Sequence, residues 1–147
     1  MLAGKIYGIP ISGTMAHSYV SSFGNELEAF RAFSRSFPER TVLLIDTYDT
    51  LSGAHNAALV GQEMAQTGQR LVGVRLDSGD IATLSRQVRD ILDRAGLADV
   101  KIFASGGLDE HELQRFSQAG APIDGYGIGT SLTTSSMCCP TVGSSRI

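Results

Sequence analysis

Several residue types that mark particular classes of protein are scarce in this sequence. The 147 residues include no tryptophan, four prolines and two cysteines, which are adjacent at Cys138 and Cys139 and form no CxxC spacing. A disulfide framework or a zinc site is therefore not indicated. Only two of the twelve Lys and Arg residues are lysine and the formal net charge is -3, so the composition predicts no polybasic face for nucleic acid.

Long hydrophobic runs are missing as well. No apolar segment approaches the roughly 20 residues that a membrane-spanning helix needs, and the first ten residues lack the hydrophobic centre of a signal peptide. These features predict a cytoplasmic protein without a membrane partner. The composition, with 42% apolar and 18% charged residues, is typical of one globular domain and excludes disordered, collagen-like and coiled-coil chains.

Short apolar runs alternate with amphipathic stretches along the chain. The apolar runs predict strands at Lys5–Ile11, Thr41–Asp46, Leu71–Leu76, Val100–Ser105 and Pro122–Gly129. A near-continuous run such as TVLLID is typical of a strand buried on both faces of a parallel sheet. Strand and helix alternate about four times, with roughly 20 to 35 residues per unit, which predicts an α/β fold with right-handed crossovers.

Four amphipathic segments are predicted to be the helices between these strands. The first follows Ser22 and ends before Pro38, and the second, which is rich in small residues, stops at Gly68. The third has the clearest period, from Ile81 to Ala95. A short fourth helix passes through Leu113 and Phe116. Acidic caps are predicted in front of the last three helices, at Asp49, Asp80 and Asp109, the last with the capping-box partner Glu112.

Two architectures accommodate this alternation, a doubly wound open sheet and a (β/α)8 barrel. A closed barrel needs about 250 residues, so this chain would supply only about half of one. In either architecture the ligand site lies beyond the carboxyl ends of the strands. The polar residues that follow each strand are therefore the candidates for function.

Glycine-rich turns follow the last two predicted strands, in Ser105-Gly106-Gly107 and in Gly127–Ser131. Backbone N–H groups in such turns can converge on a phosphate. The alternative is that the glycines only close tight turns, since a single glycine motif is weak evidence. Two adjacent turns of this kind favour the phosphate site.

Acidic, basic and imidazole groups occupy the other strand ends. Asp46 and Asp77 each end a strand and are candidate Mg²⁺ ligands. Arg75 can point the same way as Asp77 and bind a phosphate, or alternatively form an ion pair with Asp77. His17 follows Thr14 in a loop of small residues after the first predicted strand. An imidazole there can act as nucleophile, proton carrier or cation. The alternative is a structural role, which is more common for a solitary histidine.

Five segments of the sequence match a known family in order and spacing. They are LAGKIYGIPISGTMAHSYVSSF, LIDTYDTLSGAHNA, VRLDSGD, FASGGLDE and GYGIGTSLTTS. Together they closely resemble nicotinate phosphoribosyltransferase, a type II phosphoribosyltransferase. The resemblance covers about residues 2–135, and its specificity rests on GTMAHS together with VRLDSGD.

The resemblance implies a catalytic α/β barrel, of which residues 1–135 would form part. In that family nicotinate and 5-phosphoribosyl 1-diphosphate give nicotinate mononucleotide and diphosphate for NAD synthesis, with Mg²⁺ present and ATP hydrolysis coupled to the reaction. The full-length family also implies a homodimer. His17 matches the family histidine that ATP phosphorylates transiently.

The remaining candidates take their roles from the same resemblance. Asp46 and Asp77 match acids near the ribose, the diphosphate and Mg²⁺, and Arg75 matches the arginine at the ribosyl-phosphate site. The loops that hold the 5'-phosphate are matched by Ser105, Gly106, Gly107, Gly129 and Thr130. Thr14, in the loop that carries His17, is counted with these binding residues.

The sequence departs from the family at both ends. The match begins partway into the barrel, after the N-terminal domain that helps to form the family's site. Residues 136–147 diverge and are predicted to be a disordered tail. We therefore expect a fragment of the enzyme; the alternatives are a non-catalytic module that binds a phosphate metabolite, and an inactive truncated product.

Overall fold

A computed structural model describes residues 14–127. The four strands of this part are β1 (Val42–Leu44), β2 (Gly73–Leu76), β3 (Lys101–Ala104) and β4 (Gly125–Tyr126). The helices are α1 (His17–Ser21), α2 (Glu26–Ser36), α3 (Thr50–Gln66), α4 (Ile81–Arg94) and α5 (Glu110–Gln118), with one 3-10 turn at Pro38–Arg40. The predicted strand Lys5–Ile11 and the end of the last predicted strand lie outside the described residues.

The strands form one parallel sheet whose order follows the chain, β1-β2-β3-β4. Val42 pairs with Gly73, and Gly73 in turn pairs with Lys101. Phe103 pairs with Gly125. Neighbouring helices also pack against each other in chain order, α2 on α3 and α3 on α4. The predicted α/β class with parallel strands is confirmed.

Residues in the middle of the first three strands belong to the buried apolar core. Leu43, Leu44 and the following Ile45 are all fully buried, as the TVLLID run predicts. Val74 and Ile102 occupy matching positions in the next two strands and are fully buried too. Burial of this kind stabilises the fold by about 25 cal/mol for each Å² of apolar surface removed from water.

Helix α3 packs very closely on the end of β1. A Cβ atom placed on Gly53 would overlap the backbone carbonyl of Ile45, so only glycine fits at this position. Ala54, Ala57 and Ala58 continue the buried face of the helix. The stretch of small residues therefore brings the helix close to the sheet.

Side-chain caps fix the starts of three helices. The side chains of Asn25, Asp49 and Asp109 each accept a hydrogen bond of 2.8 Å from the backbone N–H three residues later. The caps predicted at Asp49 and Asp109 are thus confirmed. Helix α2 begins later than its hydrophobic period suggests because Asn25 caps it.

One local prediction is met in position only, and one is wrong. Asp80 is the N-cap residue of α4 as predicted, but its carboxylate accepts from the Thr83 hydroxyl at 2.7 Å and not from the helix backbone. His17 does not lie in a loop, since it is the first residue of the short helix α1. Within residues 14–127, no helix is long and apolar enough to cross a membrane.

Candidate functional site

The candidate site lies where the carboxyl ends of β1, β2 and β3 meet the start of α1. Parallel strands bring the residues that follow them to one edge of the sheet. Asp46 follows β1, Asp77 follows β2 and Ser105 follows β3. His17 reaches the same edge from α1, where the side chains of His17 and Ser105 contact the carboxylate of Asp77, and Asp46 contacts the Asp77 backbone.

Asp46 is almost completely buried, at 9% exposure. Its Oδ2 accepts hydrogen bonds from the backbone N–H of Asp77, at 2.8 Å, and from the Ser78 hydroxyl, at 2.7 Å. Its other oxygen, Oδ1, is also buried and has no hydrogen-bond partner among the described residues. Asp46 therefore joins the loop after β2 to the end of β1 through one oxygen, and the hydrogen-bonding capacity of the other oxygen is unused among the described residues.

Asp77 lies at the centre of the site. Its Oδ1 accepts a hydrogen bond from the Ser105 hydroxyl, and its Oδ2 lies 3.6 Å from Nε2 of His17. Nε of Arg75 is 4.0 Å from Oδ1 of Asp77. One carboxylate thus contacts candidate residues from three other positions in the chain.

Arg75 points to the same side of the sheet as Asp77, as their two-residue spacing predicts. The alternative role considered for Arg75 is an ion pair with Asp77. That ion pair is long, with 4.0 Å between Nε and Oδ1. Nε of Arg75 is buried and has no hydrogen-bond partner within residues 14–127. A guanidinium in this state can offer hydrogen bonds to a phosphate or carboxylate ligand.

Thr47 is a site residue that the sequence analysis missed. Its hydroxyl lies 3.1 Å from Nδ1 of His17, across 30 positions of the chain. His17 therefore has a polar contact at each ring nitrogen, Thr47 on one and Asp77 on the other. The only signal in the sequence was that Thr47 follows Asp46 at a strand end.

The two described glycines of the predicted phosphate loop have left-handed backbone conformations. The φ angle is +90° at Gly106 and +66° at Gly107. Such conformations favour glycine at both positions, and both predicted roles, a tight turn and a phosphate loop, use them. Gly129 and Thr130 lie outside the described residues, so the second loop of the predicted cradle stays a prediction.

A cavity of about 430 Å³ opens beside these residues. Thr14, Arg75 and Ser105 supply its polar lining, and Phe103 and Tyr126 supply part of its apolar lining. The Thr14 hydroxyl donates to the backbone carbonyl of Val42 at 2.6 Å, which fixes Thr14 on β1. Three predicted binding residues therefore border one concave space.

The described carboxylates at this edge do not by themselves form a complete metal site. Residues 14–127 contain no group of three or more His, Cys, Asp or Glu side chains that could hold a metal. Mg²⁺ is usually held by one or two carboxylates together with substrate phosphates and water. Asp46 and Asp77 are carboxylates of the type required, and Oδ1 of Asp46 has no partner among the described residues.

Glu26 is a second buried carboxyl that sequence reasoning did not identify. Its exposure is 7%, its Oε2 accepts from the Asn56 amide at 3.0 Å, and its Oε1 has no partner among the described residues. Burial raises the pKa of Glu26, the Asn56 hydrogen bond opposes this rise, and the charges of Asp49 and Asp46 add to it. The contact links α2 to α3.

The chain is similar to enzymes of one kind from several organisms. It is 48% identical over 132 residues to nicotinate phosphoribosyltransferase pncB2 of Mycobacterium tuberculosis and 46% identical over 135 residues to nicotinate phosphoribosyltransferase of Bacillus subtilis. Each match covers 90% of this chain but only 28% and 27% of the relative. No family model matches the sequence.

Solved structures agree with these matches. Human nicotinic acid phosphoribosyltransferase has a TM-score of 0.79 at 28% identity, over 87% of this chain and 36% of that chain. The nicotinate-nucleotide pyrophosphorylase of Pyrococcus furiosus has a TM-score of 0.70 at 27% identity, over 87% and 33%. The resemblance seen in the motifs is confirmed, and the chain spans about a quarter of the length of the curated relatives it matches.

Proposed function

We propose that this chain is the phosphoribosyl-binding part of a nicotinate phosphoribosyltransferase that serves NAD salvage. The reaction joins nicotinate to 5-phosphoribosyl 1-diphosphate, releases diphosphate and is coupled to ATP hydrolysis. The observation that carries the proposal is the convergence of His17, Arg75 and Ser105 on the carboxylate of Asp77. These are residues to which the family resemblance assigns separate roles in one reaction.

The architecture in this proposal is about half of a (β/α)8 barrel, formed by residues 1–135 and followed by a divergent tail at 136–147. The sheet order β1-β2-β3-β4 supports it, because barrel strands follow one another in chain order. A doubly wound sheet reverses its strand order at a switch point, and the four described strands contain no such reversal. The TM-score of 0.79 to the human enzyme also supports this choice.

The phosphoribosyl group is placed in the cavity beside β2 and β3. Arg75, Ser105 and Thr14 border this space, and the turn at Gly106 and Gly107 directly follows Ser105. Guanidinium groups and glycine-rich turns both favour phosphate oxygens. The arginine and the turn are therefore proposed to bind the phosphate groups of the substrate.

The charges at the site suit cleavage of the bond between ribose and diphosphate. Positive charge develops on the ribose as the bond breaks, and the carboxylates of Asp46 and Asp77 stabilise it. Negative charge develops on the diphosphate, and Arg75 stabilises that charge. Mg²⁺, held by Asp46 and Asp77 when bound, supplies further positive charge to the diphosphate.

His17 is placed as the residue that ATP phosphorylates transiently. Phosphorylation would add roughly two negative charges to a ring whose Nε2 lies 3.6 Å from the carboxylate of Asp77. Repulsion between these charges is enough to reposition a cation or a loop at the strand ends. The homodimer and the cytoplasmic location belong to this proposal and depend on the family resemblance.

The test combines turnover with binding. The purified chain is incubated with nicotinate, 5-phosphoribosyl 1-diphosphate, Mg²⁺ and ATP, and nicotinate mononucleotide is assayed; binding of 5-phosphoribosyl 1-diphosphate is measured by calorimetry. Formation of product supports the enzyme. Binding without product supports the alternative, a non-catalytic module, and a folded chain that does neither contradicts the proposed site.

The role of His17 is tested in a full-length enzyme that contains this segment. His17→Ala is expected to abolish the coupling between ATP hydrolysis and nucleotide formation while leaving binding of 5-phosphoribosyl 1-diphosphate in place. His111→Ala is the matched control because it replaces an exposed histidine on α5. Unchanged coupling in His17→Ala would refute the role of this residue.

A further inference from the structure

We infer that Thr47 is a positioning residue for His17. Its hydroxyl holds Nδ1 while the carboxylate of Asp77 faces Nε2, and together they fix the direction and the tautomer of the imidazole ring. The inference concerns the state of the histidine itself, and it rests on the proposed function only for its chemical consequence.

The two contacts approach the ring from different loops. Thr47 Oγ1 lies 3.1 Å from Nδ1, and Thr47 belongs to the segment between β1 and α3. Asp77 Oδ2 lies 3.6 Å from Nε2, and Asp77 follows β2. The imidazole is thus held between two strand ends that Asp46 already ties together through the backbone N–H of Asp77.

Donor and acceptor chemistry decides which nitrogen carries the proton. An ionised carboxylate can only accept, so the nitrogen that faces Asp77 is favoured as N–H. In the neutral ring Nδ1 then has a free electron pair, and the Thr47 hydroxyl can donate to it. When the ring is protonated, the same hydroxyl can turn and accept from Nδ1, so the contact survives in both charge states.

The reversed ring is disfavoured for the same reason. Rotating the imidazole by half a turn would place a carbon atom against the Thr47 hydroxyl and another against the Asp77 carboxylate, so both polar contacts would be lost. A net hydrogen bond is worth about 0.5–1.5 kcal/mol, or roughly 2- to 10-fold in a population ratio. Thr47 is therefore expected to contribute a factor of this size to the preference for the observed orientation.

The chemical consequence is that Nδ1 is the reactive nitrogen. It keeps the electron pair that can accept a proton or another electrophilic group, while Nε2 keeps its hydrogen toward Asp77. The Thr47 hydroxyl lies at that electron pair, so a group arriving at Nδ1 must displace it. Thr47 directly precedes the segment in which Asp49 caps α3, so this displacement would be felt at the start of that helix.

The experiment is nuclear magnetic resonance of the chain labelled with 15N-histidine. The two other histidines, His55 and His111, are identified by their Gln variants. The wild-type chain is expected to show the tautomer with hydrogen on Nε2, and an Nδ1 shift typical of a nitrogen that accepts a hydrogen bond. Thr47→Val keeps the shape of the side chain without its hydroxyl, and Thr47→Ser keeps the hydroxyl.

In Thr47→Val we expect the 15N chemical shift of Nδ1 to move to the value typical of a nitrogen that accepts no hydrogen bond. We also expect the population of the reversed ring to rise roughly 2- to 10-fold. Thr47→Ser is expected to restore both signals. The inference is overturned if wild-type His17 carries its hydrogen on Nδ1, or if Thr47→Val leaves the shift and orientation unchanged. It is also overturned if Thr47→Ser behaves like Thr47→Val.

These readouts need no turnover. If Thr47→Val does not fold, the wild-type tautomer and the Thr47→Ser spectrum still decide the question. A chain that neither makes nicotinate mononucleotide nor binds 5-phosphoribosyl 1-diphosphate, but shows the expected spectra, would contradict the proposed function and support the role of Thr47. Failure of the proposed function and failure of the role of Thr47 can therefore be told apart.

Discussion

Gly106 lies directly against the backbone of Asp77. A Cβ atom added to Gly106 would overlap the Asp77 carbonyl oxygen, whereas a Cβ added to Gly107 would meet no atom within 4 Å. Both glycines have positive φ angles, so they differ in the space around them and not in the type of backbone conformation. The first glycine is therefore the one that allows the loop after β3 to contact the loop after β2.

This difference predicts unequal effects of two neighbouring alanine substitutions. Gly107→Ala is expected to destabilise the fold by about 1–2 kcal/mol, the cost of a left-handed conformation for alanine. Gly106→Ala is expected to cost more, because it also pushes Asp77 away and disturbs its hydrogen bond from Ser105. Urea unfolding of both variants measures the difference, and equal losses of stability would contradict the packing argument.

Asp46 is expected to be as important for folding as for ligand binding. Asp46→Ala removes the acceptor of the Asp77 N–H and the Ser78 hydroxyl and is expected to cost about 2–4 kcal/mol. Asp46→Asn keeps a neutral acceptor oxygen, so this variant should lose less stability than Asp46→Ala. Urea unfolding and hydrogen exchange of the Asp77 amide test this order, and an amide that stays equally protected in Asp46→Ala would show that the bond is unimportant.

Glu26 should make stability depend on pH. Its pKa in the folded chain lies above the ordinary 4.5, chiefly because of burial. Between 4.5 and that raised pKa the folded state binds more protons than the unfolded state, so the contribution of Glu26 is full below pH 4.5 and is lost as pH rises through the folded pKa. Glu26→Gln should therefore be more stable than the wild type at neutral pH and show a flatter pH profile.

The measurement is a series of thermal or urea unfolding curves from pH 4 to pH 8. The oxygen of glutamine can still accept from the Asn56 amide, so the contact between α2 and α3 is retained. Glu28→Gln is the control, since Glu28 is exposed on the same helix. If Glu26→Gln and Glu28→Gln change the pH profile equally, burial of Glu26 is not the cause.

Arg75 is expected to determine affinity for 5-phosphoribosyl 1-diphosphate. Arg75→Gln removes a charged donor that faces the cavity and should weaken binding roughly 10- to 100-fold, the equivalent of about 1.5–3 kcal/mol for hydrogen bonds to charged groups. Arg94→Gln should leave the affinity unchanged, because Arg94 is exposed in the last turn of α4, away from the carboxyl ends of the strands. Calorimetry compares the two, and equal affinities would argue against a phosphate at Arg75.

Hydrophobic patterning was sufficient to predict most elements of the described part. Four predicted strands and four predicted helices are present, because each depends on a local run or period. The strands are shorter than predicted since burial continues past the paired residues; Thr41 and Ile45 are fully buried on either side of β1. An apolar run in the sequence predicts which residues are buried, whereas the bounds of a strand are set by the residues that pair.

Contacts between distant segments could not be predicted in the same way. The Thr47 and His17 pair is separated by 30 positions, as is the Glu26 and Asn56 pair, and neither contact leaves a periodic signal in the sequence. The five-residue helix that begins at His17 is too short to show a hydrophobic period. Asp46, Asp77 and Arg75 were identifiable because a parallel sheet brings strand ends together regardless of sequence distance.

The chain-order pairing of the strands has a consequence for how the molecule acquires its structure. Val42 pairs with Gly73, 31 positions later, and Phe103 pairs with Gly125, 22 positions later. Each described strand therefore finds its partner in the unit synthesised just before it, although the contact of His17 with Asp77 forms only after β2 has been made. The described part is expected to assemble progressively during translation, with short loops to close at every step.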